Sequence, residues 1–189
     1  MTEITAYFLR QEGRSSDLLL RTAAAAFSGL DPAAFETVRE YGKKPRFLRH
    51  PELSASVSHS GGIWAAAFSW DGEIGLDIQL RTVSPRRDRI AERFFHPREA
   101  EAVRSSPDPD SAFSRIWCRK EAAVKLSGAG IDGRFSSFDV TSPGPADVFG
   151  EAVHLVDFSL PNLPALFACA AYSRPFSVRP VPLPIPSEL

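Results

Sequence analysis

Residues 63–80 read Ile63-Trp64-Ala65-Ala66-Ala67-Phe68-Ser69-Trp70-Asp71-Gly72-Glu73-Ile74-Gly75-Leu76-Asp77-Ile78-Gln79-Leu80. The run 63–70 is apolar on both faces, the pattern of a strand buried on two sides. Asp71-Gly72 is a two-residue hairpin signal. The stretch after it alternates. Ile74, Leu76, Ile78 and Leu80 share one face, and Asp77 and Gln79 point together to the other. A buried strand, a tight turn and a return strand carrying a polar pair are expected.

Toward the N-terminus, Ser56-Val57-Ser58-His59-Ser60-Gly61-Gly62 is a polar lead-in to the buried strand. Residues 4–9 form a short apolar run, read as an edge strand. Ser15 or Ser16 precedes an Ala-rich run from Asp17 to Phe27, the signature of a capped helix ended by Gly29. Asp31-Pro32 looks like a helix start, but residues 35–41 alternate more like a strand, and a strand is the preferred reading. Gly42-Lys43-Lys44-Pro45 is a loop. Toward the C-terminus, Ser84-Pro85 opens a helix through Phe94, and His96-Pro97 restarts one to about Val103. Asp110 or Ser111 caps a helix that runs to Leu126 or Ser127 and stops at Gly128. Residues 135–140, 152–158 and 166–172 read as strands, and the proline-rich stretch after Ser177 as an extended or disordered tail. Ala65-Ala66-Ala67-Phe68-Ser69 has a faint echo in Ala168-Cys169-Ala170-Ala171-Tyr172-Ser173. Two similar α+β halves would explain it. The expected division is an N-terminal half at 1–80, a C-terminal half at 81–176 and a tail at 177–189.

The 189 residues suit one domain or two small halves sharing a core. Lys and Arg number 22 against 23 Asp and Glu, so bulk charge offers no attraction to nucleic acid and any basic function is local. Two cysteines, Cys118 and Cys169, fit reduced thiols better than a disulfide framework. No apolar run approaches the ~20 residues of a membrane span, and Met1-Thr2-Glu3-Ile4-Thr5 lacks the pattern of a signal peptide. A cytoplasmic protein without membrane contact is expected.

Four groups of residues could carry chemistry. Asp77 reads either as a strand-end carboxylate facing water or as a ligand for a hard cation, which needs few protein oxygens when a phosphate supplies the rest. Glu121 and Lys125 stand four apart on one helix face, an ordinary surface pair were it not for its setting. Trp117 precedes Glu121 on that face, Ala122 and Ala123 permit close packing, and Gly128 and Gly130 let a backbone approach. His59 lies among serines and backbone amides suited to phosphate or is simply a turn histidine. No G-x-S-x-G elbow accompanies Ser58 and His59, which disfavours a hydrolase triad. Pro45 biases Lys44 to an extended conformation, useful only if an anion is nearby.

In order along the chain stand Tyr41-Gly42-Lys43-Lys44-Pro45, Val57-Ser58-His59-Ser60-Gly61, Ile74-Gly75-Leu76-Asp77-Ile78, Arg93-Phe94-Phe95-His96-Pro97-Arg98-Glu99 and Trp117-Cys118-Arg119-Lys120-Glu121-Ala122-Ala123-Val124-Lys125-Leu126-Ser127-Gly128-Ala129-Gly130. Together they resemble the 4′-phosphopantetheinyl transferase superfamily, in particular its surfactin-synthetase-activating type with two halves in one chain. The resemblance spans about Arg14 to Tyr172. It implies an α+β fold of two pseudo-symmetric halves, each an antiparallel sheet with a packed helix, and an active site in the cleft between them. It implies transfer of the phosphopantetheine arm of coenzyme A to a serine of an acyl or peptidyl carrier protein, with Mg²⁺ and release of 3′,5′-ADP. By the same resemblance Asp77 and Glu121 bind Mg²⁺, and Lys125 stabilises the reacting phosphate or protonates the leaving group. Arg14, Lys44, Ser58 and His59 grip coenzyme A. Gln79 stands where many such proteins have an acid. It would ligate directly or through water, which leaves Glu121 or a solvent molecule at the cation to take the serine proton. Arg86 and Arg87, among several arginines, are expected to dock an acidic carrier. Both halves in one chain imply a monomer. The competing readings are a relative that binds coenzyme A or a carrier without transfer, and a metal-dependent phosphohydrolase.

Overall fold

The computed structural model describes residues 1–40, 42–128, 134–142 and 144–184. Tyr41, Ala129 and Gly130 of the motifs, and residues 185–189 of the expected tail, lie outside them. The chain runs β1 (Thr2–Arg10), α1 (Ser16–Ser28), β2 (Thr37–Val38), β3 (Arg46–Phe47), β4 (Ser54–Ser60), β5 (Ile63–Ser69), β6 (Gly75–Leu80), α2 (Arg87–Phe94), α3 (Pro97–Arg104), α4 (Pro109–Ser127), β7 (Ala146–Val148), β8 (Glu151–Phe158), β9 (Leu166–Tyr172) and β10 (Phe176–Pro182).

Two four-stranded sheets result, in the orders β10-β1-β5-β4 and β6-β9-β8-β7. The succession β1-α1-β4-β5 in the first half matches β6-α4-β8-β9 in the second. β5 and β9, the strands that echo each other in sequence, hold equivalent inner positions. The two-halves α+β architecture is therefore as expected. One sheet departs from pure antiparallel pairing, because β10 joins β1 in parallel.

α1 begins where Ser15 Oγ accepts the Leu18 N–H and ends at Gly29 in the left-handed region, φ 76°. Its Leu19, Leu20, Ala23 and Ala24 bury against Trp64, Ala66 and Phe68 of β5. α4 is capped by Asp108, with Pro109 in the first turn, two or three residues before the expected cap. Pro at that position loses no hydrogen bond, since the first-turn N–H groups have no intrahelical acceptor. Between the sheets, Ile4, Ala6 and Phe8 of β1 meet Ile74, Leu76 and Ile78 of β6 and Ala168 and Ala170 of β9. The molecule is thus helix, sheet, sheet, helix.

The hairpin expected at Asp71-Gly72 does not form. β5 already has β1 on one edge and β4 on the other, so no edge remains for β6, which pairs with β9 instead. The turn itself is held by the second half: Tyr172 Oη donates to the Asp71 carbonyl at 2.8 Å. The sheets consequently part before Gly75 rather than after Leu80. The stretch after Ser177 is not a loose tail through Pro182. It belongs to β10, an outer strand of its sheet, where Pro180 and Pro182 cost no pairing on the outward side.

Two expected strands are replaced. In 35–40 only Thr37–Val38 is strand, and a 3-10 turn over Pro32–Ala34 precedes it. Residues 135–140 form turns and bends, not a strand. Phe135, Phe138 and Val140 plug the core beneath α4, and side chains take their backbone groups. Lys120 Nζ donates to the Phe138 carbonyl at 2.7 Å, and the Val140 N–H donates to Glu99 Oε1 at 2.8 Å.

β4 and β6, the outer strands of different sheets, lie side by side. Ile74, Leu76, Ile78 and Leu80 donate their N–H groups to the hydroxyls of Ser54, Ser56, Ser58 and Ser60 at 3.2, 2.9, 3.2 and 2.9 Å. Serine side chains thus do for the β6 edge what a neighbouring strand's carbonyls would do, and no donor is orphaned at the seam.

Candidate active site between the two halves

Asp77 faces α4 from β6, with Ile78 and Leu76 turned into the inter-sheet core. It is 5 % exposed. Lys125 Nζ, from the last turn of α4, donates to Asp77 Oδ1 at 2.7 Å, and Ser58 Oγ of β4 donates to the same oxygen at 2.7 Å. Cys118 Sγ donates to the Asp77 backbone carbonyl at 3.3 Å, fastening α4 to β6 from below. Gly75 makes the crossing possible: a Cβ there would lie 1.9 Å from the Ala122 carbonyl oxygen.

Glu121 stands one turn before Lys125 on the same helix face. Burial pushes its carboxyl up to about 7, the nearby Asp77 charge adds to the rise, and Lys125 opposes it. The sequence thus brings a strand carboxylate, a helix carboxylate and a lysine together, as expected for Asp77, Glu121 and Lys125. Glu121 and Lys125 open onto a cleft of ≈ 630 Å³ that Gln11, Arg39, Lys43 and His59 also line. Its charged lining residues are Arg39, Lys43, Lys44 and Lys125 against Glu121, each of the four cations also meeting a carboxylate, and this excess of cations on the lining suits an anionic ligand.

The other expected residues divide. His59 is exposed on β4 and lines the cleft. Lys44 lines it too, but its ammonium donates to Glu73 Oε2 at 2.5 Å, the Ile74 carbonyl at 2.9 Å and the Leu126 carbonyl at 3.3 Å. Burial lowers its pKa, and Glu73 counters that. Lys44 therefore ties its loop to both halves. The Ser58 hydroxyl is occupied by Asp77 and the Ile78 N–H. Gln79 lies on the Asp77 side of β6, but its amide donates to the Leu80 carbonyl at 3.1 Å. Arg14 reaches Glu12 at 3.3 Å and does not itself line the cleft, though its carbonyl accepts from Nε2 of the cleft residue Gln11 at 2.9 Å; its Nε is buried without a partner among the described residues. At the proposed docking surface Arg86 is exposed, whereas Arg87 is held by Asp88 at 2.9 Å and Asp110 at 2.8 Å. Gln11 and Arg39 were not legible as cleft residues. They lie beside the capped helix and in the misread strand, with no motif to mark them.

The donor set fits a hard dication. Two carboxylates, one raised by burial and then by the other's charge, stand on the neighbouring elements β6 and α4, and oxygen is the donor such ions take. Among the described residues no group of three or more His, Cys, Asp and Glu gathers, so a bound cation would complete its shell with water or ligand oxygens.

A two-sheet α+β protein with an acid–lysine pair under a cationic cleft is the class that fold and site define. Residues 73–155 match the family model of the 4′-phosphopantetheinyl transferase superfamily. It is similar to a 4′-phosphopantetheinyl transferase of Bacillus subtilis, 38% identical over 127 residues, 66% of this chain and 55% of that one. It is also similar to the 4′-phosphopantetheinyl transferase AcpT of Salmonella typhimurium, 38% identical over 114 residues, 57% of this chain and 58% of that one. The chain spans about half the length of the curated relatives it matches. The solved holo-[acyl-carrier-protein] synthase of Thermotoga maritima aligns over 52% of this chain and 61% of that chain, at 16% identity and a TM-score of 0.40.

Proposed function

We propose that this chain transfers the 4′-phosphopantetheine arm of coenzyme A to a serine of an acyl or peptidyl carrier protein, with Mg²⁺, releasing 3′,5′-ADP. The observation that carries the reading is the meeting of Asp77 from one half with Glu121 and Lys125 from the other, beneath a cleft that Glu121 and Lys125 line. Asp77 and Glu121 would hold Mg²⁺, whose charge would offset that of the diphosphate. His59, Lys43 and Arg39 bind the phosphates of coenzyme A from the rim, and Lys44 shapes the loop that carries Lys43. Glu121, or a solvent molecule beside it, takes the proton of the attacking serine. The serine oxygen bonds to the phosphorus bearing the pantetheine arm, and the bond to the nucleotide's bridging oxygen breaks. Lys125 stabilises or protonates the departing 3′,5′-ADP. Arg86 steers the acidic carrier, with Arg87 contributing less because Asp88 and Asp110 already offset it. We place the protein in the cytoplasm as a monomer.

One observation supports a second reading, a relative that binds without transferring: Gln79 brings no charge, and its amide turns to Leu80. Incubation with coenzyme A, Mg²⁺ and an apo-carrier, followed by mass spectrometry of the carrier, decides between them. Transfer adds one phosphopantetheine, and the proposed function fails if the carrier's mass is unchanged while the protein binds coenzyme A.

A further inference from the structure

We infer that Ser58 is a positioning residue for the Asp77 carboxylate, rather than a ligand for phosphate. The inference rests on the proposed function, since it concerns how that site is held in register. The serines of the seam are not equivalent. Each accepts an N–H from β6, but a hydroxyl has one proton left to donate, and its direction differs along the row. Ser54 donates to Glu73 at 2.9 Å. Ser58 donates to Asp77 Oδ1 at 2.7 Å. With its oxygen accepting from the Ile78 N–H at 3.2 Å, the Ser58 hydroxyl is fixed at both ends, and both partners sit on neighbouring residues of one strand.

Ser58 is 6 % exposed and Asp77 5 %, so water does not compete freely for this bond. Lys125 reaches the same oxygen from the opposite half. Oδ1 is therefore held by a hydroxyl from the first half and an ammonium from the second, which sets the rotation of the carboxylate and the direction of Oδ2. A carboxylate that must ligate a cation is commonly oriented by such an outer partner, and loss of that partner costs metal affinity. The serine seam thus does two things. It joins the sheets along its whole length, and at one rung it transmits the alignment of β4 to the reactive strand.

The test compares Ser58→Ala, Ser58→Thr and Ser60→Ala. The last removes an equivalent rung, Leu80 N–H to Ser60 Oγ at 2.9 Å, two residues from the one in question. Binding of Mn²⁺ alone, read by electron paramagnetic resonance, and melting temperature are measured on all three and on the wild type. Ser58→Ala is expected to weaken Mn²⁺ binding about ten-fold or more, with Ser58→Thr recovering most of it and Ser60→Ala within about two-fold of wild type. In the transfer assay the loss appears in kcat and in the Mg²⁺ requirement, with little change in KM for coenzyme A. Equal weakening by Ser58→Ala and Ser60→Ala would reduce Ser58 to a seam residue and overturn the inference. So would wild-type Mn²⁺ binding in Ser58→Ala, or a rise confined to KM for coenzyme A, the mark of a phosphate contact. A wild type that neither binds Mn²⁺ nor modifies a carrier would overturn the proposed function itself, an outcome visible before any variant is made.

Discussion

Asp77 and Glu121 are both acids, yet their surroundings divide them. Asp77 is held by a lysine and a serine hydroxyl on one oxygen, while burial and the Asp77 charge push Glu121 up to about 7. Glu121 therefore binds its proton more tightly folded than unfolded. Its contribution to the stability of the metal-free protein is complete below pH 4.5 and fades as pH rises through about 7. Melting in chelator across that range should show the fade in wild type and lose it in Glu121→Gln. Added Mg²⁺ should stabilise wild type most above pH 7, where no proton has to be displaced, and a pH-independent Mg²⁺ effect would contradict the assignment. Gln79→Glu adds a carboxylate on the Asp77 side of β6. It should tighten metal binding, and a titration showing no tightening would place position 79 outside the cation's reach. The residue scale was also where sequence reading went furthest. Alternation on a strand and i,i+4 spacing on a helix singled out Asp77, Glu121 and Lys125, both local periodicities that survive folding, and the family resemblance implied their common role. Ser58 was legible as a site residue but not in its observed bonds, because its partners lie 19 and 20 positions away across a seam that no local pattern announces.

At the scale of elements, the site depends on how closely α4 lies on β6. Gly75 is the point of closest approach, and its neighbours there are backbone atoms of Ala122 and Leu126, which cannot swing aside as a side chain would. Gly75→Ala should lower stability by about 1–3 kcal/mol or more, and it should weaken Mn²⁺ binding by moving Glu121 and Lys125 from Asp77. Unchanged melting and metal affinity would refute the close crossing. A second anchor is the buried Lys120–Glu99 pair, 2.9 Å apart with both side chains fully buried. It holds α3, α4 and the turn at 134–140 together. Lys120→Met leaves Glu99 uncompensated and should cost about 3–5 kcal/mol, measured by denaturant unfolding. Most helix ends were legible because caps are local: Ser15, His96, Gly29 and Gly128 mark the ends they were expected to mark, whereas α2 begins at Arg87 rather than at Ser84-Pro85 and α4 is capped by Asp108. Strand partners were not. The Asp71-Gly72 turn signal is real, but which strand β6 joins depends on β5 having no free edge, a fact about four strands at once. Residues 135–140 read as a strand, yet Lys120 and Glu99 capture their backbone.

For the whole molecule, β10 closes the account of the first sheet. It returns from the second half to pair with β1, and it buries Phe176 and Leu183. Burial of two such side chains is worth about 3–6 kcal/mol, a large share of a typical domain's stability. A chain ended at Ser173 should therefore unfold at much lower denaturant and expose the β1 edge to aggregation; cooperative unfolding at the wild-type midpoint would show β10 to be dispensable. The two halves are thus interlocked twice, by β10 and by the serine seam. On this account the cation and the diphosphate of coenzyme A bind as one unit, held by Asp77 from one side and Glu121 from the other. Calorimetric titration of coenzyme A with and without Mg²⁺ tests that most directly. Mg²⁺ should tighten binding in wild type, and Asp77→Asn and Glu121→Gln should each abolish the gain. Equal affinity with and without Mg²⁺, or a gain that survives both substitutions, would contradict it.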